Sequence, residues 1–184
     1  MLTVTALDGL NTIDTILNYR AALHLTQTPS NNGALTGYTL VNKYLPGALS
    51  ASGANCRVKV FAYSTQPLTI NTLYIGNPAT SGNAYNFDGN QVQGKFNSAA
   101  SVTIPKGGWV WTDNIQFSVD QAQTILVAMD IGTAAASPRI TGLGTKFVRY
   151  YKSGTQQAGT TSKSSSYTSV SGYTLVSFEI EVSD

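Results

Sequence analysis

The chain has one histidine and one cysteine among its 184 residues. These two scarcities exclude more chemistry than any motif adds. A structural zinc site takes four ligands, mostly thiolate and imidazole, and Cys56 with His24 cannot build one. No internal disulfide can form, so Cys56 reads as a small apolar strand residue. A serine hydrolase triad would have only His24 as its base. His24 lies on the polar side of a strand-like run with no acid beside it, and the nucleophile signature G-x-S-x-G does not occur. The glycine-rich loops that cradle nucleotide phosphates are also missing.

Charge is scarce as well. Only 11% of residues are Asp, Glu, Lys or Arg, against about 25% in ordinary domains. The net charge of +2, spread over scattered lysines, makes no nucleic-acid footprint. No apolar run approaches the ~18 residues of a membrane span. The opening MLTVTALDGLNT has neither a basic region nor an apolar core of the signal-peptide kind. The expectation is a chain made in a cytoplasm that, if it works outside the cell, leaves by another route, of which cell lysis is one.

The few acids form no convincing catalytic pair. Two carboxylates about 5–10 Å apart would serve a glycosidase, but Asp88 and Asp113 sit in turn contexts where Asp caps backbone. Glu179 and Glu181 share one face of the last strand and read as an outward, solvated pair. The segment NAYNFDGN spaces Asn83, Asn86, Asp88 and Asn90 around a glycine. Such an oxygen-rich loop suits calcium, but without a closing glutamate it reads mainly as an Asx-rich turn. No cofactor is expected, and the chain does not read as an enzyme.

What is abundant is alternation. Period-2 patterning marks strands at 16–25 (where a helix capped by Asn11 or Thr12, with Asp14 in its first turn, is the alternative), 38–45, 56–64, 68–76, 91–96, 101–105, 108–112, 115–119, 124–132, 146–152 and 173–182. Turn residues fall between them, as in Pro46-Gly47, Asn77-Pro78, Asp88-Gly89 and Lys106-Gly107-Gly108. Short strands at such spacing predict a single all-β domain over 1–184, an antiparallel β-sandwich or jelly roll of about 8–11 strands. Residues 1–35 read as an N-terminal arm or edge strand. Residues 153–172, polar and unpatterned, read as a long functional or mobile loop.

One region carries a family likeness. It includes Tyr74-Ile75-Gly76, Ser81-Gly82-Asn83-Ala84-Tyr85-Asn86-Phe87-Asp88-Gly89 and Ser101-Val102-Thr103-Ile104-Pro105, with Gly107 and an aspartate, Asp113, after the next strand. This run resembles β-sandwich modules of virion proteins in tailed phages and gene transfer agents, which act as head fibres, decorations or tail adhesins. Similar modules are appended to bacterial proteins that act on polysaccharides. The resemblance implies attachment: to copies of itself as a homo-oligomer such as a trimer, to other virion proteins, or to a host-surface glycan. It transfers no catalytic or ligand residue. The chain departs from the pattern in its long loop 153–172 and in Trp109 and Trp111, which stand where small or polar residues are usual.

Trp109 and Trp111, two apart on a strand, share one face. That face reads as core, as an interface between subunits or virion proteins, or as a platform for a sugar ring beside Asp113 and Asn114. Tyr150 and Tyr151 point to opposite faces, so one should be exposed. With Arg149 and Lys152 they form a second candidate contact surface, and Tyr85 and Asp88 belong to the likeness just described.

Overall fold

The structure, a computed structural model, describes residues 17–184, so the first part of the expected arm, 1–16, lies outside the described residues. Fourteen strands and no helix make up the described chain, and no helix long and apolar enough to cross a membrane occurs among those residues. In order they are β1 (Arg20–His24), β2 (Ser30–Asn31), β3 (Tyr38–Tyr44), β4 (Asn55–Phe61) and β5 (Leu68–Gly76). Then come β6 (Val92–Gly94), β7 (Val102–Ile104), β8 (Trp109–Trp111), β9 (Ile125–Ala134) and β10 (Pro138–Thr141). The chain closes with β11 (Phe147–Ser153), β12 (Thr168–Ser171), β13 (Tyr173–Leu175) and β14 (Ser177–Ser183).

The predicted antiparallel β-sandwich is what forms. A four-stranded sheet, β1-β14-β4-β8, packs on a seven-stranded sheet ordered β12-β11-β3-β9-β5-β6, with β7 also paired to β5. A small sheet, β13-β10-β2, lies beside them. Alternation sets the inner faces: Cys56, Val58 and Val60 from β4 and Ile180 and Val182 from β14 meet Leu40, Leu73, Ile75, Val127 and Met129 from the large sheet. Burial pushes the Cys56 thiol up to about 12. The free thiolate is therefore scarce in the folded state.

Strand β9 is buried on both sides, which explains its nearly unbroken apolar sequence. Its outer face is covered by two irregular segments, 77–90 and 154–167. Tyr85, Phe87, Ala158 and Tyr167 from these segments close over Val41, Leu126 and Ala128. Asp130 of β9 anchors the cover. Its buried carboxylate accepts hydrogen bonds from Thr39 Oγ1 at 2.6 Å, Thr72 Oγ1 at 3.0 Å and the Ala158 amide at 3.1 Å. Segment 154–167 is therefore a docked strap, and the expectation of a mobile loop over 153–172 is corrected; β12 occupies its end. The apolar residues Ala158 and Tyr167 were too few to show periodicity, yet they supply the burial that fixes it.

Other sequence expectations also shift. The run 16–25 alternates on paper, but a register shift between Ala21 and Leu23 breaks it, and both Ala22 and Leu23 turn inward. Residues 115–119 bury Ile115, Phe117 and Val119 in strict alternation but make only isolated bridges. The expected last strand is cut in two at Val176, whose φ is 65°. That left-handed residue lets β13 join the small sheet while β14 joins the four-stranded one. The short strands β2, β10 and β12 carried too little alternation to be read in advance.

Two predictions follow from the covered face. Replacing Asp130 with Ala leaves two hydroxyls and a buried amide without their acceptor, and should cost about 3 kcal/mol of stability, measured by urea unfolding. Lys163 is 3% exposed, lies 3.9 Å from the Phe87 ring centroid and donates to Thr160 O at 2.8 Å. Burial lowers its ammonium from 10.5 to about 8, with Asp130 opposing the shift. The folded protein thus gives up this proton before the unfolded chain does. The Lys163 contribution to stability is lost as pH falls toward 8 and recovered as pH rises toward 10.5. The stability difference between wild type and Lys163→Met should change across that window; a difference independent of pH would contradict it.

Candidate functional site

The two outer faces of the sandwich differ. The large sheet is covered by the strap, whereas the four-stranded sheet presents its outer side chains to solvent. On β4 the alternation that buries Cys56, Val58 and Val60 turns Arg57, Lys59 and Phe61 outward. On β14 it turns Glu179 and Glu181 outward, in register with Lys59 and Arg57. Lys59 Nζ donates to both Glu179 oxygens, at 3.0 and 3.2 Å. Arg57 Nε donates to Glu181 Oε2 at 2.7 Å. The two glutamates are therefore cross-strand partners, and the expectation of a solvated pair is corrected.

Aromatic rings lie over the same cations. Arg57 stands 4.1 Å from the Tyr19 ring centroid and 4.5 Å from that of Trp111. Lys59 Nζ is 4.2 Å from Trp109 and 5.3 Å from Trp111. Such contacts are worth about 0.5–2 kcal/mol each, more as water is excluded. His24 on β1 extends the row, its Nδ1 lying 3.5 Å from Glu179 Oε2. The result is a continuous surface of alternating charge and flat rings across four strands.

The core reading of the tryptophans is corrected here. β8 is an edge strand of its sheet, and it is Val110 that packs against the core. Trp109 and Trp111 face outward, and Trp109 at 55% exposure is the one exposed large hydrophobic side chain among the described residues. Asp113 and Asn114 follow β8 but serve neighbouring backbone and side chains. Asp113 accepts from the Asn97 and Ser98 amides at 2.9 and 2.7 Å, holding two residues with φ of 50° and 68°. Asn114 Oδ1 accepts from the Tyr19 hydroxyl at 2.7 Å. With Arg57 these residues border an open depression of about 740 Å³.

The second expected surface does not form. Tyr150 lies in a cluster with Tyr85, ring centroids 5.2 Å apart, and Tyr85 stacks on Tyr167 at 4.4 Å. Tyr85 is buried, and these rings hold the strap down. Tyr151 packs 6.0 Å from Tyr38 at the core margin, so neither Tyr150 nor Tyr151 is fully exposed. Arg149 is buried rather than presented. Asp88 accepts from the Asn90 amide at 3.0 Å, as an Asx turn does. Of the side chains considered for calcium, Asn86 Oδ1 accepts from the Lys163 amide and Asn90 Oδ1 from the Asn77 amide, while Asn83 donates to Lys163 O. Among the described residues no three His, Cys, Asp or Glu side chains are grouped so that they could hold a metal ion.

Arg57, Lys59 and Tyr19 were not singled out as surface residues from sequence, whereas His24 was placed on the polar side of its strand. The signal was present in the complementary alternations R-x-K in CRVKVF and E-x-E in FEIEV, which become cross-strand pairs when the strands adjoin. The sequence matches no protein-family model and no curated protein. What the fold and surface define is a class: an antiparallel β-sandwich with one strapped face and one open aromatic and ionic face.

The two tryptophans should be separable by solution quenching. In Trp111→Phe the remaining Trp109 emission should be strongly quenched by acrylamide, and in Trp109→Phe the Trp111 emission, under Arg57, should be quenched several-fold less. Equal quenching would contradict the lower exposure of Trp111 relative to Trp109.

Proposed function

We propose that this chain is a non-enzymatic structural or adhesive component of a phage-like virion, which contacts its partners through the open face of the four-stranded sheet. The observation that carries the contact surface is Trp109: a large ring, 55% exposed, held over Lys59 on an otherwise ion-paired strand face. Large exposed rings mark recognition surfaces more often than bare solvent faces. The virion assignment is supported by the sequence likeness of residues 68–113 to phage and gene-transfer-agent modules. Both glutamates on this face are engaged by cations, an arrangement suited to a rigid contact surface rather than to a base aimed into a cleft.

Those pairs are partly buried beneath the rings, which neutralises the charge that a contact surface would otherwise have to desolvate. A homo-oligomer, with a trimer as the expected state, would bury it between copies or against another virion protein. A second reading is a carbohydrate-binding module, favoured by the free edge of Trp109, since pyranose faces are apolar and stack on such rings.

Light scattering behind size exclusion on the full chain, with wild type and Trp109→Ala compared, tests the proposal. The expected outcome is a discrete oligomer that Trp109→Ala weakens by about tenfold or more in dissociation constant, on the scale of an interface hot spot. A concentration-independent 19.5 kDa monomer whose Trp109 fluorescence responds to oligosaccharides would replace the virion reading with the carbohydrate one.

A further inference from the structure

A second cluster, remote in sequence from β4 and β8, holds two arginines that have no counter-charge among the described residues. Arg149 of β11 points to the margin of the small sheet and is 7% exposed. Its Nη1 donates to Asn32 Oδ1 at 2.6 Å, while its Nε is buried with no hydrogen-bond partner. The guanidinium carbon lies 4.9 Å from the Tyr151 ring centroid and 5.1 Å from that of Tyr173. Arg139 of β10 stands over the same Tyr173 ring at 5.9 Å, and its Nε donates to Ser30 Oγ at 3.1 Å. Among the described residues the ion pairs are Arg20–Asp184, His24–Glu179, Arg57–Glu181 and Lys59–Glu179. Neither Arg139 nor Arg149 has a carboxylate within reach there.

This arrangement is costly as it stands. A guanidinium withdrawn from water without an anion loses solvation that neutral partners only partly replace. Two rings and an amide oxygen offset part of that loss. Burial holds Arg149 below its ordinary range; Tyr151 and Tyr173 oppose that shift, and the charge of Arg139 adds to it. One additional group would relieve both effects: an oxyanion placed between the two guanidinium groups. Guanidinium forks favour such groups because two parallel N–H donors match two oxygens.

We propose that Arg139 and Arg149, held on Tyr173 and fixed by Ser30 and Asn32, form a binding site for a planar or tetrahedral oxyanion, a carboxylate or phosphate group. Arg149 supplies the pre-oriented cation at the base of the site. Arg139, more exposed at the short strand β10, completes it from the side. The site is independent of the open face of the four-stranded sheet and does not rest on the virion reading.

The probes are inorganic phosphate and acetate, titrated into the full chain at constant ionic strength while the Arg Nε–Hε resonances are followed by NMR. The expected result is a saturable shift of the Arg149 signal, half-complete on the order of 1 mM, with chloride giving none. Arg139→Gln, which leaves the buried arginine in place, should weaken that response by about tenfold, the effect of one charge-assisted contact. Phosphate acting without acetate would indicate a phosphate source, and acetate acting as well would indicate a carboxylate. An Arg149 signal that does not move, moves equally with chloride, or titrates identically in Arg139→Gln overturns the site.

Discussion

The pairing of Lys59 and Arg57 with Glu179 and Glu181 is the constraint on which the open face depends. A two-sheet sandwich has two outer faces, and each must avoid presenting an apolar or sticky sheet to solvent. The large sheet solves this with a strap anchored at Asp130. The four-stranded sheet solves it with charge. In a chain that is only 11% charged, Arg20, Arg57, Lys59, Glu179, Glu181 and Asp184 gather on or beside one sheet. Surface ion pairs contribute little stability, about 0–1 kcal/mol each when exposed, and the Arg57–Glu181 and Lys59–Glu179 pairs are only partly exposed. Their larger effect here is geometric, because a fixed ammonium under Trp109 and a fixed guanidinium under Trp111 hold both rings in place.

Burial explains where sequence reading worked. Period-2 alternation in CRVKVF and FEIEV located β4 and β14, since each has one wet and one dry face, although the expected runs overshot β4 at its end and joined β13 to β14. The apolar run of β9 was equally legible, although it did not reveal that a strap covers the second face. Failures cluster where the backbone departs from regular pleating. The register shift in β1 and the positive φ of Val176 redirect side chains with no compositional warning. The strap was illegible for a different reason: its order comes from backbone amides meeting Asp130 and Asn86, and any polar segment could donate them.

The candidate site was half legible. Spacing alone put Trp109 and Trp111 on one face, but which face depended on whether Val110 or the rings met the core. An edge strand of three residues offers too little pattern to decide that. Tyr85 and Tyr150 read from sequence as contact residues and instead pack against each other at a tilt, with Tyr85 stacked on Tyr167, because aromatic content does not distinguish a binding ring from a packing ring. The cationic partners of the tryptophans were overlooked since a lysine on a strand ordinarily reads as a solvated side chain.

Oxidative footprinting of Trp109, comparing the dilute free chain with the protein in its assembled form at high concentration or within particles, addresses the open face most directly. If this face is the contact surface, Trp109 oxidises readily in the free chain and is protected several-fold on assembly, while the buried Met129 stays protected throughout. Equal oxidation of Trp109 in both states would contradict the assignment, because the most exposed ring on the sheet would then face solvent in the assembly as well.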